Sequence, residues 1–536
     1  MDLDPAAVTL GSADELRRTG QLVGKVGDLP VVVFWDGGRA WAVEDRCPHM
    51  GFPLHRGTVD DGLLTCHWHH ARFDLGSGCT FDLWADDAVA LDVTIDAGID
   101  GDEVRVAPRT NGHDVERLER RLVEGLEEGL TLVVAKAVHG LLARDVPPPR
   151  LVEIGLRFAA ANRAEGWGAG MTVAQIALNL LPHLPPAEHG RALTHGLAFL
   201  GRDVQGHRPR FPVPPLDGPA EPDQLARWYR RFLENRLATA AERVAATGSR
   251  VDPAATERFL FAAGTDHVYL DEGHVVDYLN KACEAVATIG GDAAAWLFPT
   301  VVAPMAAATR HEEVSEWREP IDLVPLIDDT SARLVGAGVG SAAGAGGLAD
   351  DELGAVGWAL LADDPHRVVA ALVEAADRGA TAEQLARAVA FAAALRLVRF
   401  HVQNDVADWD AVHHTFTTAN AVHQAVVRQP TPELVRGIVH GAVRVYLDRF
   451  LNVPAARVPG DDPRQLDELE ACWDGRGGVD EAGRVVAGHL AAGGTGAAVL
   501  AELCRSLYRE DAGFHWFQSV DAAAAQHRAW PAGSVE

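Results

Sequence analysis

Lysine is nearly absent from this 536-residue chain: Lys25, Lys136 and Lys281 stand among 48 basic residues, against 76 aspartates and glutamates. The formal net charge is −28. An excess of that sign repels phosphate backbones and anionic lipid surfaces, so neither nucleic acid nor membrane is expected as a partner. Cysteine is scarce too. Cys47, Cys66, Cys79, Cys283, Cys472 and Cys504 are spread over the whole length, which excludes a disulfide scaffold. No uninterrupted apolar run reaches membrane-spanning length, and the start MDLDPAAVTL lacks the basic residues and apolar core of a signal peptide. The expectation is a cytoplasmic protein. A P-loop and a flavin motif are also missing. The glycine-rich stretch 336–347 has no G-x-G-x-x-G in register and no βαβ surroundings, so a flexible surface loop is expected there.

What is present begins with CPHMG at Cys47–Gly51 and CHWHHARFDLGSG at Cys66–Gly78. Their ligand-bearing residues read C-x-H-x16-C-x2-H, namely Cys47, His49, Cys66 and His69. Two thiolates and two imidazoles are also a zinc set. Zinc fingers, however, usually place both Cys in one pair and both His in the other. Here each loop supplies one of each, which suits one iron held by sulfur and a second held by nitrogen.

With both pairs in place, Pro48 and Gly51 in the first loop and ARFDLGSG after the second, the N-terminal fifth resembles the Rieske [2Fe–2S] family. The resemblance implies a small β domain over residues 1–109 and a [2Fe–2S] cluster on Cys47, His49, Cys66 and His69. Neither loop carries a spare Cys, since Phe52 and Trp68 occupy the neighbourhood. That matches the ferredoxin and oxygenase members, with a potential low in the Rieske range of about −150 to +300 mV. His67 and His70 flank His69 and are expected to face water.

Within the first 109 residues, 31–34 and 40–43 read as strands around the turn Asp36-Gly37-Gly38-Arg39. Further strands are expected near 62–66, 71–74 and 103–107, and a linker at 110–114, beginning near Arg109. From 115 to 536 the texture turns long, Ala- and Leu-rich and helical in period, and an all-α domain is expected. Helices are read at 116–143, 150–163, 223–246, 365–378 and 382–400, with a Pro-rich loop at 207–222. The segments around Asn179, Asn280 and Asn420 look like copies of an imperfect helical-hairpin repeat, with His274 and His414 each six residues before an Asn.

A Rieske cluster has no open position for substrate, so its electrons must go elsewhere. In the ring-hydroxylating oxygenases that this N-terminus resembles, they go to mononuclear non-haem iron on two His and a carboxylate. The D-x2-H fragments ending at His274, His366 and His413 all lack the second His of that motif, and no paired E-x-x-H occurs in the helical region. The sequence offers a different site: His401, Asp405 and Asp408 fall at i, i+4 and i+7 of an expected helix, with His414 and His440 downstream. The same histidines can equally cap helices or satisfy buried groups. Trp228, Trp296, Trp317 and Trp409 could line an apolar substrate pocket.

Three functions compete. The first is an oxygenase-like oxidoreductase acting on a small organic molecule, fed by an external reductase or ferredoxin. The others are an electron carrier and a redox sensor, each using the helical region as a docking scaffold.

Overall fold

The computed structural model describes residues 7–98, 101–108, 114–313, 321–341, 347–452, 455–456, 462–474, 478–509 and 512–530. An N-terminal β domain over residues 8–107 precedes a helical region of about 21 helices. The chain separates into two compact units, 1–147 and 148–536. Of the expected linker, residues 109–113 lie outside the described set. Two helices beyond it, Asp114–Glu127 and Thr131–Leu142, belong to the first unit.

The β unit has a six-stranded antiparallel sheet in the order β1-β9-β8-β4-β3-β2. Its strands are β1 Val8–Ser12, β2 Gln21–Val26, β3 Leu29–Asp36, β4 Arg39–Glu44, β8 Ala90–Gly98 and β9 Gly101–Ala107. A second sheet is β5-β6-β7: Thr58–Asp60, Leu63–Thr65 and Arg72–Asp74. The β3–β4 hairpin pairs Asp36 with Arg39, and Gly37 and Gly38 both have positive φ, as a twist-matched two-residue turn requires. β1, β2, β5 and β8 are not among the expected strands: QLVGKV alternates only weakly and β5 is three residues long, whereas β8 does alternate, with Leu91, Val93 and Ile95 against Asp92, Thr94 and Asp96.

Beyond residue 107 the described residues contain no strand. The helix expected at 116–143 is two: Gly129, with φ of 67°, reverses the chain between them. That expected at 223–246 is likewise two, Pro222–Glu234 and Ala238–Val251, broken at Arg236 with φ of 55°. Apolar periodicity runs through both breaks, so the pattern alone hides them. Residues 207–221 form the expected Pro-rich loop. Of the 336–347 loop, 342–346 lie outside the described residues.

Two of the three repeat-like segments are helical hairpins: Ala169–Leu180 with His189–Val204, and Val406–Arg428 with Pro432–Leu447. The helix carrying Asn280, His274–Ile289, is followed instead by short turns through Ala307. The three asparagines share a purpose even so. Asn179 donates to Glu284 (2.7 Å) and Asp521 (3.1 Å), Asn280 to Glu284 (2.7 Å), and Asn420 accepts from Gln526 (2.8 Å). Two of these partners lie on the closing helix Phe514–Ala529, whose polar stripe is buried. Lys281, 1% exposed, joins them through Glu284 (2.9 Å) and a short ion pair with Asp521. Buried charge is costly unless paired, so this network holds one arrangement of four helices.

Candidate metal centres

The two Cys–His loops share one main-chain design. The Cys47 N–H donates to the Phe52 carbonyl at 2.7 Å, and the Gly51 N–H returns to Cys47 O at 2.7 Å. The Cys66 N–H donates to Ala71 O at 2.9 Å, and the His70 N–H returns to Cys66 O at 3.0 Å. The residue closing each turn is left-handed, Gly51 at φ 80° and His70 at φ 63°. His70 thus supplies the left-handed residue of its turn, and its side chain is exposed, as expected.

These turns bring the predicted residues together. Cys47 and Cys66 are buried and unbridged, and the His49 and His69 rings lie 4.8 Å apart, edge to face. Burial, with a further push from the Cys66 thiol, raises the Cys47 thiol to about 11. His49 Nδ1 is buried with no hydrogen-bond partner. Two buried thiols and an orphaned imidazole nitrogen on converging loops are what a metal cluster would satisfy, so the residues present fit a [2Fe–2S] group.

Neighbouring side chains steady the loops. Trp68 stacks on His69 at 4.7 Å and Trp84 meets His49 at 4.8 Å. Asp45 accepts from the His55 N–H at 2.7 Å, and Lys136 reaches the Pro48 carbonyl. In the LGSG segment Gly78 is obligatory: a Cβ there would stand 2.0 Å from Ala88 O. Cys79 is exposed, whereas Cys283, Cys472 and Cys504 are buried free thiols.

In the helical unit, the expected grouping of His401, Asp405, Asp408, His414 and His440 does not form. His401 and Asp405 are not helical: the helix starts at Val406, with Asp405 as its cap. His401 Nδ1 accepts from the Gln403 N–H at 3.1 Å, and the Asp408 carboxylate from the Asp405 N–H at 3.2 Å. Capping chemistry thus takes up the residues read as a ligand face. His440 is buried on Pro432–Leu447 against Tyr269, ring to ring at 5.7 Å.

His414 instead meets His274 and His515. One ligand atom from each of the three lies within 4.8 Å of the others. His414 Nδ1 donates to Glu272 Oε2 at 2.8 Å, which directs its Nε2 inward. His515 Nδ1 donates to Gln518 Oε1 at 3.0 Å, while Gln518 donates onward to the buried Asp277 at 2.6 Å. The two Nε2 atoms then face each other at 3.4 Å. With both Nδ1 atoms donating, neutral rings would point lone pairs at one another, an arrangement that a proton or a metal cation shared between the two Nε2 atoms relieves. Two nitrogens each about 2.1 Å from one tetrahedral ion would be about 3.4 Å apart.

The loop that delivers His274 is strained. Tyr269, Asp271 and Glu272 have φ of 47°, 49° and 56°, followed by Gly273 at 97°. A Cβ on Gly273 would fall 2.0 Å from Thr418 Oγ1. Arg444 holds this loop, donating to Glu272 O at 2.6 Å and stacking over Tyr269 at 4.9 Å. Such outliers persist where surrounding structure over-determines them, and they cluster at functional sites. Burial, reinforced by His414 and His515, lowers His274 to about 3, and burial lowers His413 to about 4. The hydrogen bond from His414 lowers Glu272 to about 2. The site therefore offers a neutral His274 beside an ionised Glu272.

Sequence reasoning had noted His274 only within a D-x2-H fragment and the repeat, and had missed His515. The available signal was HWFQSVD, which sets His515, Gln518 and Asp521 three residues apart on one helix face. Of the tryptophans, Trp296 lines a cleft of about 390 Å³ with Arg157, Trp409 packs on Phe400, Trp228 is 37% exposed, and Trp317 lies outside the described residues. No helix is long and apolar enough to cross a membrane among the described residues.

Comparison with known proteins agrees with the first centre. Residues 6–90 match the family described as the Rieske [2Fe-2S] domain. A "Rieske domain-containing protein" of Homo sapiens is 31% identical over 77 residues, 14% of this chain and 49% of that protein. The "Anthranilate 1,2-dioxygenase ferredoxin subunit" of Burkholderia cepacia is 32% identical over 69 residues, 13% and 64% respectively. The "4beta-methylsterol monooxygenase" of Methylococcus capsulatus is 49% identical over 43 residues, 8% and 12%. The chain thus spans at most 64% of these relatives.

Proposed function

Because residues 6–90 are a Rieske [2Fe–2S] domain, we propose that the chain is an oxygenase-like oxidoreductase whose helical unit holds a non-haem iron on His274, His414 and His515. Cys47, His49, Cys66 and His69 hold the cluster, which when bound supplies single electrons. The domain division proposed is 1–109 for the cluster and 115–536 for substrate. An external reductase or ferredoxin is the electron source, consistent with the exposed Met50, Trp68 and Phe81 around the cluster loops. The relatives include a ferredoxin subunit and a monooxygenase by name, which supports the same reading.

The observation that carries the proposal is the pair of facing Nε2 atoms, each fixed by a separate acceptor on its Nδ1. Metal-ligating histidines are characteristically oriented in this way. Three protein ligands are also the number typical of catalytic rather than structural sites, because a position stays open to a substrate or water. Imidazole ligands suit iron, zinc, copper or nickel; iron is chosen because a one-electron donor shares the chain. Here Glu272 and the Gln518–Asp277 pair hold the ligand protons at Nδ1, and His274 completes the set from the strained loop.

The test is iron and acid-labile sulfide on anaerobically purified protein, followed by oxygen uptake with an external reductase and a panel of small organic substrates. Iron in excess of sulfide, with substrate-dependent uptake, supports the reading. Equal iron and sulfide with no second metal would leave an electron carrier. Zinc in place of the extra iron would make the triad hydrolytic or structural.

A further inference from the structure

A second feature of the helical unit is a convergence of unpaired guanidinium groups. Arg396 lies on the helix Ala382–Val398, Arg399 just past its end, and Arg449 in the turn Asp448–Asn452. All three line one pocket of about 290 Å³. Among the described residues none of the three forms an ion pair, whereas arginines such as Arg387, Arg428 and Arg464 do. In a chain with 76 acidic residues, three converging arginines without an ion pair are an unusual grouping.

Arg396 is 7% exposed. Its Nε donates to Val445 O at 3.2 Å, but its buried Nη2 has no partner. Burial pulls its pKa down, and Arg399 and Arg449 add to that, only partly offset by Asp448 and Asp363. Asp448 is already engaged, accepting from Thr415 Oγ1 at 2.6 Å. Asp363, the one acid lining the pocket, is exposed. The outer two guanidiniums are held in place by aromatic faces. Arg399 sits 5.7 Å from the Trp358 ring centre, and Arg449 lies 3.8 Å from Tyr446 and 3.6 Å from Phe450. Arg449 also donates to Tyr446 O at 3.1 Å.

A buried, unsatisfied guanidinium beside two like charges is expensive to leave empty-handed. From this we infer that the pocket binds a phosphoryl group. Guanidinium forks pair bidentately with tetrahedral oxyanions, and a dianion answers three converging cations better than a single carboxylate does. The volume is roughly ten times the ~30 Å³ share of one water, so a phosphate ester of small size fits as well as the free ion. None of the three arginines belongs to either set of candidate metal ligands.

The experiment is calorimetric titration of the full-length protein in phosphate-free buffer with inorganic phosphate and with glycerol phosphate, acetate serving as comparison. Binding of phosphate or its ester, weakened at least tenfold in the double variant Arg399→Ala/Arg449→Ala and unchanged in Arg250→Ala, is the expected result. Tighter binding of glycerol phosphate identifies an ester as the ligand; equal binding identifies the free anion. Binding that is absent for both, matched by acetate, or equal in wild type and double variant overturns the proposal. Both substituted side chains reach the pocket from its rim, so the double variant avoids the folding risk of Arg396→Leu. Unchanged iron and sulfide contents in it separate failure here from failure of the metal centres.

Discussion

The β unit and the helical unit each gather side chains able to hold a metal, but by opposite means. At Cys47–His49 and Cys66–His69 two short turns with the same hydrogen-bond pattern present Cys and His from neighbouring positions. At His274, His414 and His515 three separate helices each contribute a single residue, aimed by Glu272 and Gln518. The first kind of site is written in local backbone geometry. The second exists only when distant helices dock, and it uses strain in the 269–273 loop and a buried polar stripe to keep its aim.

Four sets of substitutions sharpen that contrast, from the largest expected loss to the smallest. His69→Ala or Cys66→Ser removes a ligand of the first centre, and the Rieske EPR signal with its acid-labile sulfide is expected to disappear entirely. Retention of sulfide and of the same spectrum would falsify the ligand assignment.

His414→Ala or His515→Ala should strip the second metal while leaving sulfide and the Rieske signal intact. His401→Ala should change neither, because that side chain serves only the turn before its helix. A loss of metal in the His401 variant would restore the grouping expected from sequence.

Lys281→Met probes the network that docks the helices. It leaves the buried Asp521 and the half-buried Glu284 without their cation, and breaking such a group costs about 3–5 kcal/mol. Denaturant unfolding should show it, with the cluster spectrum of the β unit unaltered. An unchanged midpoint would mean that the network does not govern docking.

A smaller loss is expected from Glu272→Gln, which keeps shape but weakens the acceptor for His414 Nδ1. Loss of such an orienting partner typically costs roughly 10–100-fold in metal affinity. Competition with a chelator measures it, and an affinity equal to wild type would show that Glu272 does not orient the ligand.

Legibility followed the same divide. The Cys–His pairs were readable because ligand spacing, turn residues and flanking strands all lie within one short stretch. The β3–β4 hairpin was readable for the same reason, through Gly37 and Gly38. Weakly alternating strands such as QLVGKV were not, since their burial depends on neighbours across the sheet. In the helical unit, apolar period revealed helices but not their breaks at Gly129 and Arg236. Spacing placed His401, Asp405 and Asp408 on one helical face, and a helix start at Val406 removed that face altogether. The Asn repeat signalled something real in a different form: Asn179, Asn280 and Asn420 anchor a polar network rather than mark equivalent hairpins.

By itself the sequence determined that this protein carries a Rieske domain and that an all-α region follows, because both are matters of local pattern: ligand spacing in two turns, and helical periodicity. Tertiary structure alone decided which histidines meet. A helix presents a residue to its neighbours according to docking angle and register, and those are set by contacts between residues far apart in the chain. His274, His414 and His515 become a site, and Arg396, Arg399 and Arg449 a pocket, only after that docking is complete.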